Sequence, residues 1–214
     1  MSVRILIADD HAIVREGIRT ILQAQDDMEV VGEAGDGREA LNKAEVLKPD
    51  VILMDISMPA LNGIEATRMI LSRMPTVRVI ILSMHHTNEY VIRAMQAGAR
   101  AFLLKESAGF SVVRAVRAVM KGRKYFDEGI EVPHIKRSGS PVPPETPLSS
   151  LSRRERETLQ LIVEGNTNAA IAEIFKISTK SVETYRSRLM LKLGISNVPA
   201  LVIFALQHGV ISLP

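Results

Sequence analysis

From Val3 to about Gly122, short apolar and β-branched runs alternate with stretches of helical periodicity. Residues 4–8, 29–34, 51–54, 77–82 and 101–104 read as strands. Two of these runs, Ile5-Leu6-Ile7-Ala8 and Val51-Ile52-Leu53-Met54, are apolar throughout, the mark of parallel strands buried on both faces. Five strands separated by helix-length segments predict βαβ units, hence an α/β fold with a doubly wound, five-stranded parallel sheet. The connecting segments carry the apolar stripes such helices need. Ile13, Gly17, Ile18, Ile21 and Leu22 fall on one side of the first, and Val112, Val113, Val116, Val119 and Met120 on one side of the last.

Beyond residue 127 the alternation stops, and Ser-Gly-Ser-Pro-Val-Pro-Pro-Glu-Thr-Pro supplies clustered helix breakers. Residues 127–147 therefore read as a flexible linker between a first domain, 1–126, and a second, 148–214. The second is a small all-α domain of four helices. Ser152 with Glu155 three residues on forms a capping box that opens the first helix, and Gly165 ends it. Further helices run over about 168–175, 179–193 and 198–208, with Gly194 and Gly209 where the last two should end.

Composition narrows the options. In 214 residues there is no cysteine, which excludes disulfides, zinc–thiolate sites and a cysteine nucleophile. The start of the chain lacks the basic opening and cleavage site of a signal peptide, and the longest apolar segment, 198–206, is too short to span a bilayer. A soluble cytoplasmic protein that makes no membrane contact is expected. The net charge of +3 does not announce a nucleic-acid binder, but the basic excess per residue is greatest at the C-terminal end. Between 178 and 193, Lys180, Arg186, Arg188 and Lys192 stand against Glu183.

The chemistry sits at the strand ends. Asp9 and Asp10 follow the first strand and Asp55 the third, and ligands of doubly wound sheets bind outside the carboxyl ends of the strands. Three carboxylates drawn together repel, so a cation belongs among them, and an oxygen-only ligand set favours a hard ion such as Mg²⁺. Beside such an ion Asp55 can attack an activated phosphoryl group and form an acyl phosphate. Phosphoryl transfer then needs groups that neutralise the transferred oxygens. Ser83 after strand four and Lys105 after strand five supply them. A Mg²⁺-dependent phosphohydrolase with an aspartyl nucleophile is the alternative. Enzymes resembling haloacid dehalogenases carry Asp-x-Asp after the first strand, however, whereas Asp55 is followed by Ile56-Ser57. His11, His85 and His86 read as solvated side chains.

These residues, with Met58-Pro59 after the acid and Gly63 beyond, closely resemble the receiver domain of two-component response regulators, a flavodoxin-like fold. The resemblance implies that Asp55 accepts phosphate from a sensor histidine kinase. It implies that Asp10, Asp55 and the Ser57 carbonyl ligate Mg²⁺, with Asp9 helping to orient it. Ser83 and Lys105 would bind phosphoryl oxygens, and Phe102 would change rotamer with Ser83. Where a Tyr would bring a hydroxyl, Phe102 brings none.

In the second domain, two helices joined through Ile177-Ser178 have the layout of a helix-turn-helix. Lys180, Glu183, Thr184, Ser187 and Arg188 form a polar face on the recognition helix, while Val182, Leu189 and Leu193 point to the core. Lys180, Arg186, Arg188 and Lys192 suit phosphates; Glu183, Thr184 and Ser187 suit base edges. Periodicity alone would favour an ordinary amphipathic helix with a solvated face. The wording is more specific: Leu151-Ser-Arg-Arg-Glu-Arg-Glu, Glu164-Gly165, Ile171-Ala172, Ser181-Val182-Glu183 and Lys192-Leu193-Gly194-Ile195 resemble the LuxR-type helix-turn-helix. Tyr185, where histidine is frequent, keeps a hydroxyl for a phosphate contact.

Receiver plus this domain is the NarL/FixJ architecture. It implies a transcription regulator that binds double-stranded promoter DNA, as a homodimer when phosphorylated or DNA-bound, with the last helix as core, dimer face or both. A constitutive DNA-binding regulator with a degenerate receiver is the other reading, disfavoured by the complete acidic set.

Overall fold

A computed structural model describes residues 2–84, 88–130 and 147–211, which divide into two compact units. The linker residues 131–146, with His85 and His86, lie outside the described residues.

The first unit is an all-parallel sheet in the order β2-β1-β3-β4-β5-β6. Its strands are β1 (Val3–Ala8), β2 (Met28–Ala34), β3 (Val51–Asp55), β4 (Arg78–Ser83), β5 (Ala101–Leu104) and β6 (Tyr125–Phe126). The sheet thus has six strands where the sequence predicts five. The sixth holds only two residues, too few for a hydrophobic period to register, and it exists because Ala101 and Phe102 of β5 pair with Tyr125 and Phe126. Residues 127–130, read as the start of the linker, lie against the same unit: Ile130 is buried in its core, and its N–H donates to the Asp127 carbonyl.

Both faces of the sheet are covered, as the all-apolar strands demand. Alternate residues Leu6, Ala8, Ile52, Met54, Val79, Ile81 and Phe102 pack on one side with residues of α2 (Gly37–Leu47), α3 (Gly63–Arg73) and α4 (Asn88–Ala97). Their neighbours Ile5, Ile7, Val51, Leu53, Ile80, Leu82 and Leu103 pack on the other with α1 (Ala12–Gln23) and α5 (Ala108–Met120). Ile18 and Leu22 anchor α1, but Ile13, placed by periodicity on the same stripe, is 85% exposed in the first helical turn.

The second unit consists of a 3₁₀ turn (Pro147–Ser150) and the helices α6 (Arg153–Val163), α7 (Asn168–Phe175), α8 (Thr179–Leu193) and α9 (Val198–Gln207). The capping box forms as read: Glu155 N–H reaches Ser152 Oγ, and Ser152 N–H reaches Glu155 Oε2 at 2.7 Å. Ser178 and Asn197 cap α8 and α9, and Gly194 takes the left-handed conformation, φ 66°, that ends α8. Leu159, Ile162, Ile171, Phe175, Val182, Leu189, Leu201 and Ala205 make its core. No single helix among the described residues is long and apolar enough to cross a membrane.

Candidate functional site

Strand register builds the first site. Chain order reverses between β1 and β3, the switch point at which such sheets leave a crevice. Ala8 pairs with Met54, Asp55 with Leu82 and Ser83 with Leu104, so Asp9, Asp55, Ser83 and Lys105 follow one another along a single sheet edge. Asp9, Asp55 and Ser83 are buried. Lys105 Nζ stands 2.8 Å from Asp9 Oδ2 and 2.9 Å from Asp55 Oδ2, with 4% of its side chain exposed. Asp10, at the rim, places its carboxylate 2.7 Å from His11 Nδ1. Ser57 is half-buried two residues past Asp55, and Phe102 is fully buried in β5, on the α2–α4 face.

Gly63 shows how tightly the Asp55 loop is folded. Its N–H donates to the Ile56 carbonyl, and a Cβ built on it would lie 1.8 Å from the Asp55 carbonyl oxygen. Only glycine lets the start of α3 close against the acid's backbone.

Burial pushes the Asp55 carboxyl up, Lys105 pulls it down, and the charges of Asp9 and Asp10 push it up again; it stands at about 6. Burial would lower the Lys105 ammonium, but Asp55 and Asp9 outweigh that and hold it above its ordinary range. One ammonium thus serves two buried carboxylates, leaving the cluster short of positive charge. Ligand atoms of Asp9, Asp10, His11 and Asp55 all lie within 4.8 Å of one another. Three carboxylates in that span are a donor set suited to a hard divalent cation. The residues fit Mg²⁺.

The other surface is α8. Lys180, Glu183, Thr184, Ser187 and Arg188 are exposed, while Val182 and Leu189 are buried, as the helical period requires. Four side chains are engaged within the unit. Lys192 Nζ lies 2.7 Å from Glu155 Oε2, the same oxygen that completes the capping box, and Arg186 reaches Asn168 Oδ1 at 3.4 Å. Ser181 meets the capping Ser178 hydroxyl at 2.9 Å, and Thr184 Oγ1 donates to the Lys180 carbonyl. Tyr185 is half-buried.

Comparison with known proteins gives these two surfaces a common setting. Residues 5–117 match the response regulator receiver domain, and residues 149–205 match the bacterial regulatory proteins of the luxR family. The chain is 40% identical over 210 residues to the oxygen regulatory protein NreC of Staphylococcus aureus, covering 95% of this chain and 97% of NreC. The chain belongs to the LuxR-type two-component response regulators. Among solved structures, this regulator is similar to the RcsB response regulator of Salmonella typhimurium, with 29% identity, a TM-score of 0.59 and 95% and 98% of the two chains covered. A structure of two RcsB dimers bound to two parallel DNAs matches with 29% identity, a TM-score of 0.58 and the same coverage. A LuxR-family response regulator from Aurantimonas matches at 35% identity and a TM-score of 0.58 over 61% of this chain and 93% of that one.

As a response regulator the protein is a DNA-binding member of a two-component system. Of the residues singled out from sequence, Asp9, Asp55 and Lys105 are in contact, Asp10 has a carboxylate oxygen within 4.8 Å of those of Asp9 and Asp55, and Ser83 stands on their edge by register. His11, read as solvated, also reaches this cluster. Its side chain is 57% exposed, yet Nδ1 also lies 3.2 Å from Asp9 Oδ1 and 3.5 Å from Lys105 Nζ. The available signal was its position directly after the acid pair, at the N-cap of α1.

Proposed function

We propose that Asp55 is the phosphoacceptor of this regulator, taking a phosphoryl group from a sensor histidine kinase, and that the acyl phosphate controls how the α8 helix engages promoter DNA. The observation that carries this reading is the Lys105 ammonium held against both buried carboxylates, Asp9 and Asp55. An ammonium so placed neutralises phosphoryl oxygens as they approach Asp55. Ser83, one strand over, offers a hydroxyl to another oxygen. Asp10, Asp55 and the Ser57 carbonyl would hold Mg²⁺, with Asp9 orienting it. Bound there, the ion lowers the barrier by offsetting negative charge on the acid and the transferred group.

Phosphorylation adds roughly one to two negative charges at Asp55. Ser83 closes on the phosphate and Phe102 follows into the space released, so the β4–β5 surface changes its contacts. Transfer to Asp55 and its later hydrolysis by water, which releases inorganic phosphate, are self-modification, and each chain holds one phosphoryl group at a time. In the helical unit, Lys180 and Arg188 meet DNA phosphates, while Glu183, Thr184 and Ser187 face base edges. Phosphorylated chains pair on a two-fold DNA site in the cytoplasm.

The test is promoter DNA affinity with and without Mg²⁺ and a small acyl phosphate, in the wild type and in Asp55→Asn. Donor-dependent tightening should appear in the wild type only. The same tightening in Asp55→Asn would end this reading.

A further inference from the structure

Asp127, just past β6, is a buried acid, 8% exposed. Its Oδ2 accepts the Leu104 N–H at 2.9 Å and a short hydrogen bond from Ser107 Oγ. These two donors bracket Lys105 in sequence, one residue before it and two after. Ser107 Oγ also contacts the Leu104 carbonyl at 3.1 Å, closing the turn on itself. The carboxylate is in turn fixed from behind. Asp127 N–H donates to the Phe102 carbonyl at 3.2 Å, the Ile130 N–H donates to the Asp127 carbonyl at 3.2 Å, and β6 is in register with Ala101 and Phe102.

We infer that Asp127 is a positioning residue for phosphoryl transfer: it fixes the turn that carries Lys105 and so sets where the ammonium stands over Asp55. The physical reason is leverage. Lys105 has four rotatable side-chain bonds, and its Nζ must reach two carboxylates at once, so its backbone has to be held at a defined height above the sheet edge. A single buried anion taking two hydrogen bonds, one from each side of the lysine, does this more firmly than neutral acceptors would. The same residue is the first after the short strand that ends the sheet, so the turn beside the acceptor and the segment leaving the receiver share one anchor. This inference rests on the reading of Lys105 as the phosphoryl-binding cation.

The experiment uses the full chain, as wild type, Asp127→Asn and Ser107→Ala. Two quantities are measured: the rate of Mg²⁺-dependent phosphorylation by a small acyl phosphate, and Mn²⁺ affinity from the electron paramagnetic resonance of free ion. Asp127→Asn keeps an acceptor but loses the charge; Ser107→Ala removes one arm and leaves the buried anion in place. Asp127→Asn should slow phosphorylation about tenfold, Ser107→Ala by less, and both should keep wild-type metal affinity. If both variants phosphorylate at the wild-type rate, or lose metal affinity and rate in equal measure, the carboxylate is only a structural staple and the inference falls. A wild type that takes up no phosphate would instead overturn the reading of Asp55 and Lys105 beneath it.

Discussion

The receiver and the helical unit place their working groups in opposite ways. At the receiver's sheet edge, Asp9, Asp55 and Lys105 are buried and held in contact, whereas the α8 residues Lys180, Glu183, Ser187 and Arg188 stand in solvent on one side of a helix. The first site is fixed by the fold before any ligand arrives. The second is an exposed display, whose contacts in the proposed reading are supplied by the DNA. Geometry therefore constrains the chemistry of the receiver closely, while the helix gives only charge and shape, and base preference depends also on how the DNA deforms.

The contrast breaks most visibly at Lys105. Lys105→Ala should destabilise the receiver by about 3–5 kcal/mol in metal-free buffer, because it strands two buried carboxylates without their cation. Denaturant unfolding reads this directly. A loss below about 1 kcal/mol, the scale of an exposed ion pair, would mean that the cluster is solvated after all.

Gly63→Ala should cost about 3 kcal/mol or more, since the new methyl meets the Asp55 carbonyl oxygen at 1.8 Å and backbone must move. Wild-type stability in that variant would show the loop beside the acceptor to be loose.

Acid sharpens the same point. Asp55 stands at about 6 in the fold against an ordinary 3.8, so the folded state favours the protonated form. Its contribution to stability is whole below the unfolded value and is lost as pH rises through the folded one, up to about 3 kcal/mol. Without Mg²⁺, unfolding free energy should therefore fall between these two pH values in the wild type. Asp55→Asn should lack that fall. Parallel profiles for the two proteins would place the strain elsewhere.

The effects on α8 are smaller and divide its basic residues. Arg188→Ala should weaken binding to unrelated DNA sequences alike, by about 1 kcal/mol, and reduce the salt slope by about one. Lys192→Ala should leave that slope unchanged and cost the helical unit about 0.5 kcal/mol, because its ammonium already pairs with Glu155. Equal salt slopes for the two variants would erase the distinction.

What was legible in the sequence follows the same division. Two-sided burial wrote Ile5–Ala8 of β1 and Val51–Met54 of β3 as unbroken apolar runs, and the acids closing them marked the switch point. Helices α7 and α8 were bounded by residues with one conformational job, such as Gly194 and the caps. The sixth strand was hidden because two residues carry no period, and the apolar stripe of α1 does not extend to Ile13, which stands exposed in the first turn. The contacts of His11 and Asp127 were missed for a common reason. Each makes a contact set by the path of a turn: His11 at the N-cap position of α1 beside Asp9 and Asp10, Asp127 next to a strand pairing that spacing did not announce.

The most direct test of the central claim is to incubate the full chain with Mg²⁺ and a small acyl phosphate, then map the label by mass spectrometry. The account predicts one phosphoryl group per chain, on Asp55, formed only when the cation is present. Label on another residue, or steady release of phosphate with Asp55 unmodified, would contradict it.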